Sequence, residues 1–368
     1  MYWYFLFFLS VLLLFLLPLL PAILEWRYKK DAQPLKVRRE YDGNIAHFAQ
    51  NFQQFLQESF ASFSKQTLID QNAMQGTLKS GERYHIIDAS TRPKFSAKEL
   101  KSNITSQLIL GQASLQLPDT MFFEKEVFAH QNINSGNWNV FRAILAKGDI
   151  HLKKECDVIR WAHSGGNFTT DGKTRLFGRV SAEGRIQLST QTRFGRLHAP
   201  HIQFGSAIKR HAKVITPITK IHPLECPDKL LDNAAGRWLV GEAMHIHRSS
   251  FHRGSIVSQK AIAIKHQCFI IGSIKSNRSL KIEGNSRIDG ALLATKNIYI
   301  GPGSFIKGPI ACEKKVVIAK GSIIGSPGKP TTITAPYIMI EEGVVIHGAV
   351  WARKQGIVVA HLSVPKKK

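Results

Sequence analysis

An eighteen-residue register runs through the last third of this chain and limits what it can become. Ile246, Ile264, Ile282, Ile300 and Ile318 follow one another at that interval, and Ile340 resumes the column after a slip of four residues. A second column holds Ile270, Ile288, Ile306 and Ile324, then Ile346. Glycine occupies a third at Gly236, Gly254, Gly272, Gly290 and Gly308, returning at Gly348, and small residues a fourth at Ser258, Ser276, Ala294 and Cys312, then Ala352. Helix faces recur every three or four residues and ordinary strands simply alternate, so neither produces this spacing. An antiparallel β-sandwich has no reason to hold one register for so long. The pattern predicts a repeat fold: an all-β chain built on a parallel β-helix, or β-solenoid, with three short strands and three corners per coil of 18 residues. Inward Ile, Val and Leu would stack at about 4.8 Å per coil, and glycine suits tight corners. The slip at 326–336, SPGKPTTITAP, predicts a loop inserted into one coil.

The segments DGALLATKNIYIG (289–301), KGPIACEKKVVIA (307–319) and HGAVWARKQGIVV (347–359) share the pattern Gly-x-apolar-x-small followed by paired apolar residues. This stretch, roughly residues 234–360, resembles the bactofilin, or polymer-forming cytoskeletal, family. The resemblance implies a right-handed β-helix that assembles without nucleotide. Weaker echoes stand at FRAILAKGDIHL (141–152), GRVSAEGRIQL (178–188) and GRLHAPHIQF (195–204). The expected organisation is therefore a first solenoid section over 141–204, broken at 163–173, then a linker or insertion over 205–233. The main bactofilin-like solenoid follows over 234–362, with a basic tail at 363–368. Residues 76–140 read as a small β-rich segment that leads into or caps the solenoid. Bactofilins are usually small, and here some 200 residues precede the clear repeats.

Residues 2–24 carry no charge, enough to span a bilayer with some tilt, and lack the basic start and cleavage site of a signal peptide. Residues 1–25 are thus expected to be an uncleaved transmembrane anchor, with Pro18 and Pro21 near its far end. Arg27, Lys29, Lys30, Lys36, Arg38 and Arg39 follow it and none precedes it, which predicts a single-pass protein of the inner membrane with its bulk in the cytoplasm. Within the juxtamembrane segment 26–75, Ile45, Phe48, Phe52, Phe55, Leu56, Phe60 and Phe63 recur at helical steps. They predict an amphipathic helix packed on the solenoid. The net charge of +24 suits an anionic membrane, reached through the basic cluster after the span. Nucleic acid is the weaker candidate, for no recognition motif accompanies the charge.

Four cysteines give no disulfide framework: Cys268 and Cys312 take small-residue columns, and Cys156 and Cys226 lack a CxxC partner for zinc. His245 and His247 flank inward Ile246 and so point outward, and His252 stands in an isoleucine column, so no metal or catalytic site is expected there. No cofactor is expected. The enzymatic alternative is a hexapeptide-repeat acyltransferase, a left-handed β-helix with the same coil length, in which His266 or His347 would have to serve as base. The favoured expectation is a non-enzymatic scaffold that self-associates and organises envelope or cytoskeletal partners. The C-terminal coil would be its open end, with Ile357, Val358 and Val359 at a dimer contact.

Overall fold

The computed structural model describes residues 2–21, 45–60, 75–87, 95–206, 222–225, 230–232 and 236–362. The basic cluster 27–39, Phe63, Cys226 and the basic tail lie outside them. Residues 1–42 and 43–368 form two separate bodies. The first contains helix α1 (Tyr2–Leu16), which tightens into a 3-10 turn, Leu17–Leu19, at Pro18. Tyr2–Leu19 is apolar and long enough to cross a membrane, a form that a signal sequence shares.

The second body is a parallel β-solenoid of about 13 turns of about 18 residues. In its C-terminal arm the columns seen in the sequence are ladder neighbours. Trp238, Ile256, Ile274, Leu292, Ile310, Ile333 and Val350 lie side by side on seven successive rungs. Ile246, Ile264, Ile282, Ile300, Ile318, Ile340 and Val358 do the same on the next face, each with 0% exposure. The slip in register is a loop closed by the Ser326–Lys329 bridge, after which the ladder resumes at Thr331.

The N-terminal arm begins earlier than the sequence suggests. Arg83–Ile87 already pairs in parallel with Leu108–Gly111, and Ile86, Leu110, Phe128, Leu145, His163, Ser181 and His198 follow one another rung by rung. Residues 83–87 and 95–140 thus belong to the solenoid and not to a separate β-rich segment. Nor does 163–173 break it: Phe168–Thr170 sits between Ile150–Leu152 and Arg185–Leu188. The physical reason is a more varied core. Its inward columns mix residue types, as in Phe123, Phe141, Val158, Leu176 and Phe194, and Phe128 faces Leu145 one residue short of the usual interval.

Two corner devices repeat. In the glycine column the backbones approach so closely that a Cβ on Gly272 would lie 2.1 Å from the Gly254 carbonyl oxygen, and one on Gly290 2.2 Å from that of Gly272. A different corner needs a left-handed residue in each coil. Ser249, Gln267, Asn285, Gly303, Gly321 and Gly343 supply it in the C-terminal arm, and Thr120, Trp138, Glu155, Lys173 and Gln191 in the N-terminal arm. An L side chain there costs roughly 1–2 kcal/mol, which stacking on the neighbouring coils must offset.

Helix α2 (His47–Phe60) confirms the helical period and its seat. Ala49 and Leu56 pack against Ile86, Leu110, Phe128, Leu145 and Trp161, which are outward-facing residues of the N-terminal arm, with Phe48, Phe52 and Phe55 at the margin. Both hydrophobic cores are built from residues after position 43, none from α1.

Ile300 has 0% exposure between Ile282 and Ile318, so Ile300→Asp should bury an unpaired carboxylate and lower stability by several kcal/mol. Lys307→Gln, at a partly exposed corner, should move the melting temperature by no more than a degree or two, corresponding to under about 0.5 kcal/mol. Thermal melting followed by circular dichroism checks both, and equal shifts would refute the column assignment.

Candidate interaction surfaces

The end of a solenoid is a sheet edge, and this chain closes one of its edges with the other. The last strand of the N-terminal arm, Arg193–Phe204, lies antiparallel to the last strand of the C-terminal arm, Val344–Val359. The latter is also parallel to Thr331–Glu341, so it is paired on both sides. The two arms therefore meet C-terminal end to C-terminal end.

Core columns continue through this joint, with Leu197 opposite Val350 and Ile202 opposite Ile346. Backbone bonds stitch its edges: Gln191 N–H donates to the Val358 carbonyl at 2.8 Å, and Val358 N–H to Thr192 at 3.0 Å. Ser206 N–H donates to Glu342 Oε1 at 2.8 Å. His347 Nδ1 lies 2.9 Å from the Pro200 carbonyl oxygen, which can only accept, so that nitrogen carries the proton. The Arg196 guanidinium sits 5.0 Å from the centre of the Trp351 ring.

One residue is shaped to the joint. The inward column Met244, Ile262, Leu280, Ile298, Val316 and Ile338 ends on Gly356. A Cβ there would meet the Phe194 ring at 2.1 Å, so the missing side chain is the space that Phe194 fills.

This geometry corrects the expected role of Ile357, Val358 and Val359. Val358 is buried in the core and the other two are half-buried beside it, but the strand they face belongs to the same chain. The edge expected to be open is filled from within. At the two outer ends, antiparallel strands lie on the first rungs: Gln75–Thr77 on Arg83–Ile87, and Leu230–Asp232 on Arg237–Val240.

A cleft of about 300 Å³ opens between α2 and the N-terminal arm. Leu56, Ile86, Leu110 and Phe128 form its apolar part, and His130 and Lys147 its basic rim. Burial, and then Lys147, push the His130 pKa below its ordinary value.

The remaining sequence candidates are dispersed. His245 and His247 are exposed on either side of buried Ile246. His252 is buried, with its Nε2 unpaired and its ring 4.1 Å from that of Trp238. His266 is exposed and 3.3 Å from Glu283, whereas His347 is enclosed in the joint. Among the described residues no group of three or more His, Cys, Asp or Glu could hold a metal ion. Cys268 and Cys312 are buried as expected, and burial raises both thiol pKa values. No family model matches the chain, and no curated protein or solved structure matches it.

Two predictions follow from this packing. Gly356→Ala should cost about 1–3 kcal/mol through overpacking, and Phe194→Ala about 3–5 through cavity formation. Combined, the two should cost less than their sum by at least 0.5 kcal/mol in denaturant melts, because the ring that the new methyl strikes is gone.

The second concerns pH. Burial lowers the pKa of His85, His130, His163, His201 and His252, so the folded state binds fewer protons than the unfolded chain. Their neutral forms contribute fully above the unfolded value near 6.5, and that contribution is lost as pH falls below it. The denaturation midpoint should drop between about pH 7 and pH 5, and His163→Gln should flatten that slope.

Proposed function

We propose that this protein is a membrane-anchored structural scaffold that does its work by holding partners in place, with no chemistry of its own. The observation that carries this reading is the joint, which turns two solenoids into one continuous rod of about 13 turns. At about 4.8 Å per turn it would be roughly 60 Å long. Such a body has a rigid spacing of outward side chains and little internal freedom, as suits a protein that positions others. The resemblance of segments 289–301, 307–319 and 347–359 to bactofilins supports the same reading.

The apolar helix Tyr2–Leu19 would be its anchor and the basic cluster Arg27–Arg39 its contact with an anionic inner leaflet, leaving residues 43–368 in the cytoplasm. Because the C-terminal edges are consumed in the joint, partners would be recruited along the sides of the rod. These partners would be envelope or cytoskeletal proteins.

A reporter fused after Lys368 should behave as cytoplasmic, and residues 43–368 should scatter light as a monomer and appear as short single rods under negative stain. Periplasmic activity of the reporter would reverse the placement. Long filaments of 43–368 would return self-association to the ends.

A further inference from the structure

One edge of the rod combines two properties that solvated surfaces usually separate. It is the corner where each coil turns from the face containing Trp238 and Ile256 to the face containing Ile246 and Ile264. In the C-terminal arm this corner is mostly cationic, with Glu242 before the basic residues and Glu313 among them as its exposed carboxylates. Lys314 N–H donates to the Lys296 carbonyl and Lys296 N–H to that of Arg278, so these three side chains sit directly above one another. Lys260 precedes them by one coil, Arg353 and Lys354 follow after one coil without a cation at this corner, and all six are exposed. None of the six takes part in an ion pair among the described residues. Like charges stacked at about 4.8 Å repel one another, so the stack is a cost to the isolated fold.

The same corner crosses the joint into the N-terminal arm. There the ladder skips residues at each turn, between Val158 and Trp161 and between Leu176 and Arg179, and the skipped residues include Ile159, Arg160 and Phe177. Opposite them across the joint, Trp351 pairs with Arg196, and Tyr337 pairs with Gln355 on the neighbouring rung. Ile159, Phe177, Tyr337 and Trp351 are 43%, 61%, 46% and 44% exposed, and they are half of the eight large exposed apolar side chains that the described residues carry after position 43. Each of the three aromatic rings has a cation over it: Arg175 on Phe177, Arg196 on Trp351 and Lys354 on Tyr337.

We infer that this edge is a docking surface for an anionic lipid bilayer, with the aromatic and apolar side chains in the headgroup region and the lysines and arginines on the lipid phosphates. The inference rests on the membrane-anchor reading for its location but not for its chemistry. Amphipathic aromatic rings settle at the headgroup level, and each Lys or Arg near an anionic surface adds about 1 kcal/mol. Single-stranded nucleic acid is the other polyanion that seeks basic and aromatic side chains, but it needs open ring faces for its bases. Here the protein's own cations already occupy a face of each ring. A bilayer instead meets successive coils of this edge at once and takes up ring and cation together.

The piece 43–368 contains both cores complete and lacks the apolar helix, so its binding is independent of that helix, and the two lysine sets below separate the edge from its other basic segments. It should float with vesicles of phosphatidylcholine containing about one third phosphatidylglycerol, fail to float with pure phosphatidylcholine, and be released by salt. Changing Lys296, Lys314 and Lys354 together to Glu should weaken binding at least 100-fold, since about 1 kcal/mol per lost cation is about fivefold each before repulsion is added. The matched set Lys153, Lys154 and Lys320 to Glu, exposed at another corner, should leave most binding intact. Phe177→Ser with Trp351→Ser should weaken binding without changing its salt dependence, and circular dichroism of every variant confirms that it is folded. Equal loss from the two lysine sets, no binding to anionic vesicles, or preference for a single-stranded oligonucleotide would overturn the proposal. Failure of the full chain to insert into neutral vesicles would instead defeat the anchor and leave this result standing.

Discussion

Hydrogen bonds between coils run along the axis of a solenoid, so every coil is an unsatisfied sheet edge until another lies on it. That requirement governs the whole molecule. Within each arm it is met by the next eighteen residues, and inward isoleucines at 0% exposure make each addition favourable. At the last coils the two arms satisfy each other. Backbone groups buried without partners would cost more than most side-chain contacts return, which is why the joint is a full antiparallel ladder and not a loose contact.

The joint also explains residues that seem out of place in their own columns. Gly356 weakens its coil in isolation, since its column otherwise holds Met, Ile, Leu or Val. Opposite Phe194 it becomes the only size that fits. His347 stands beside the core column of Ile346 yet donates across the joint to Pro200. These residues are specific to a partner surface, and the partner is some 150 residues earlier in the same chain.

The C-terminal arm was legible because its columns repeat one residue type at one interval. The N-terminal arm was half hidden, for two physical reasons. Its inward positions accept Phe, Val and Leu interchangeably, and its left-handed corner is occupied by Thr120, Trp138, Glu155, Lys173 and Gln191, where glycine would have announced the turn. Residues 357–359 were legible as contact-forming, but not the identity of what they touch. Antiparallel pairing between distant strands leaves no periodic trace. Gly356, a break in an otherwise apolar column, was the available hint. Helix α2 was legible from its period, and its seat could have been inferred from the outward apolar residues Leu108, Leu110 and Phe128 that would otherwise face water.

The order in which the chain is made gives the joint a temporal consequence. Coils are local structures that can form as each eighteen residues emerge, but Arg193–Phe204 must wait for a strand that begins at Val344. At about 5–20 residues per second, the intervening stretch takes roughly ten seconds to half a minute to synthesise. Throughout that interval the N-terminal arm displays a bare parallel edge to every other nascent copy on the same message. Closing the rod is therefore a race between the chain's own final strand and its neighbours, and truncation before residue 344 would leave two edges with nothing to cover them.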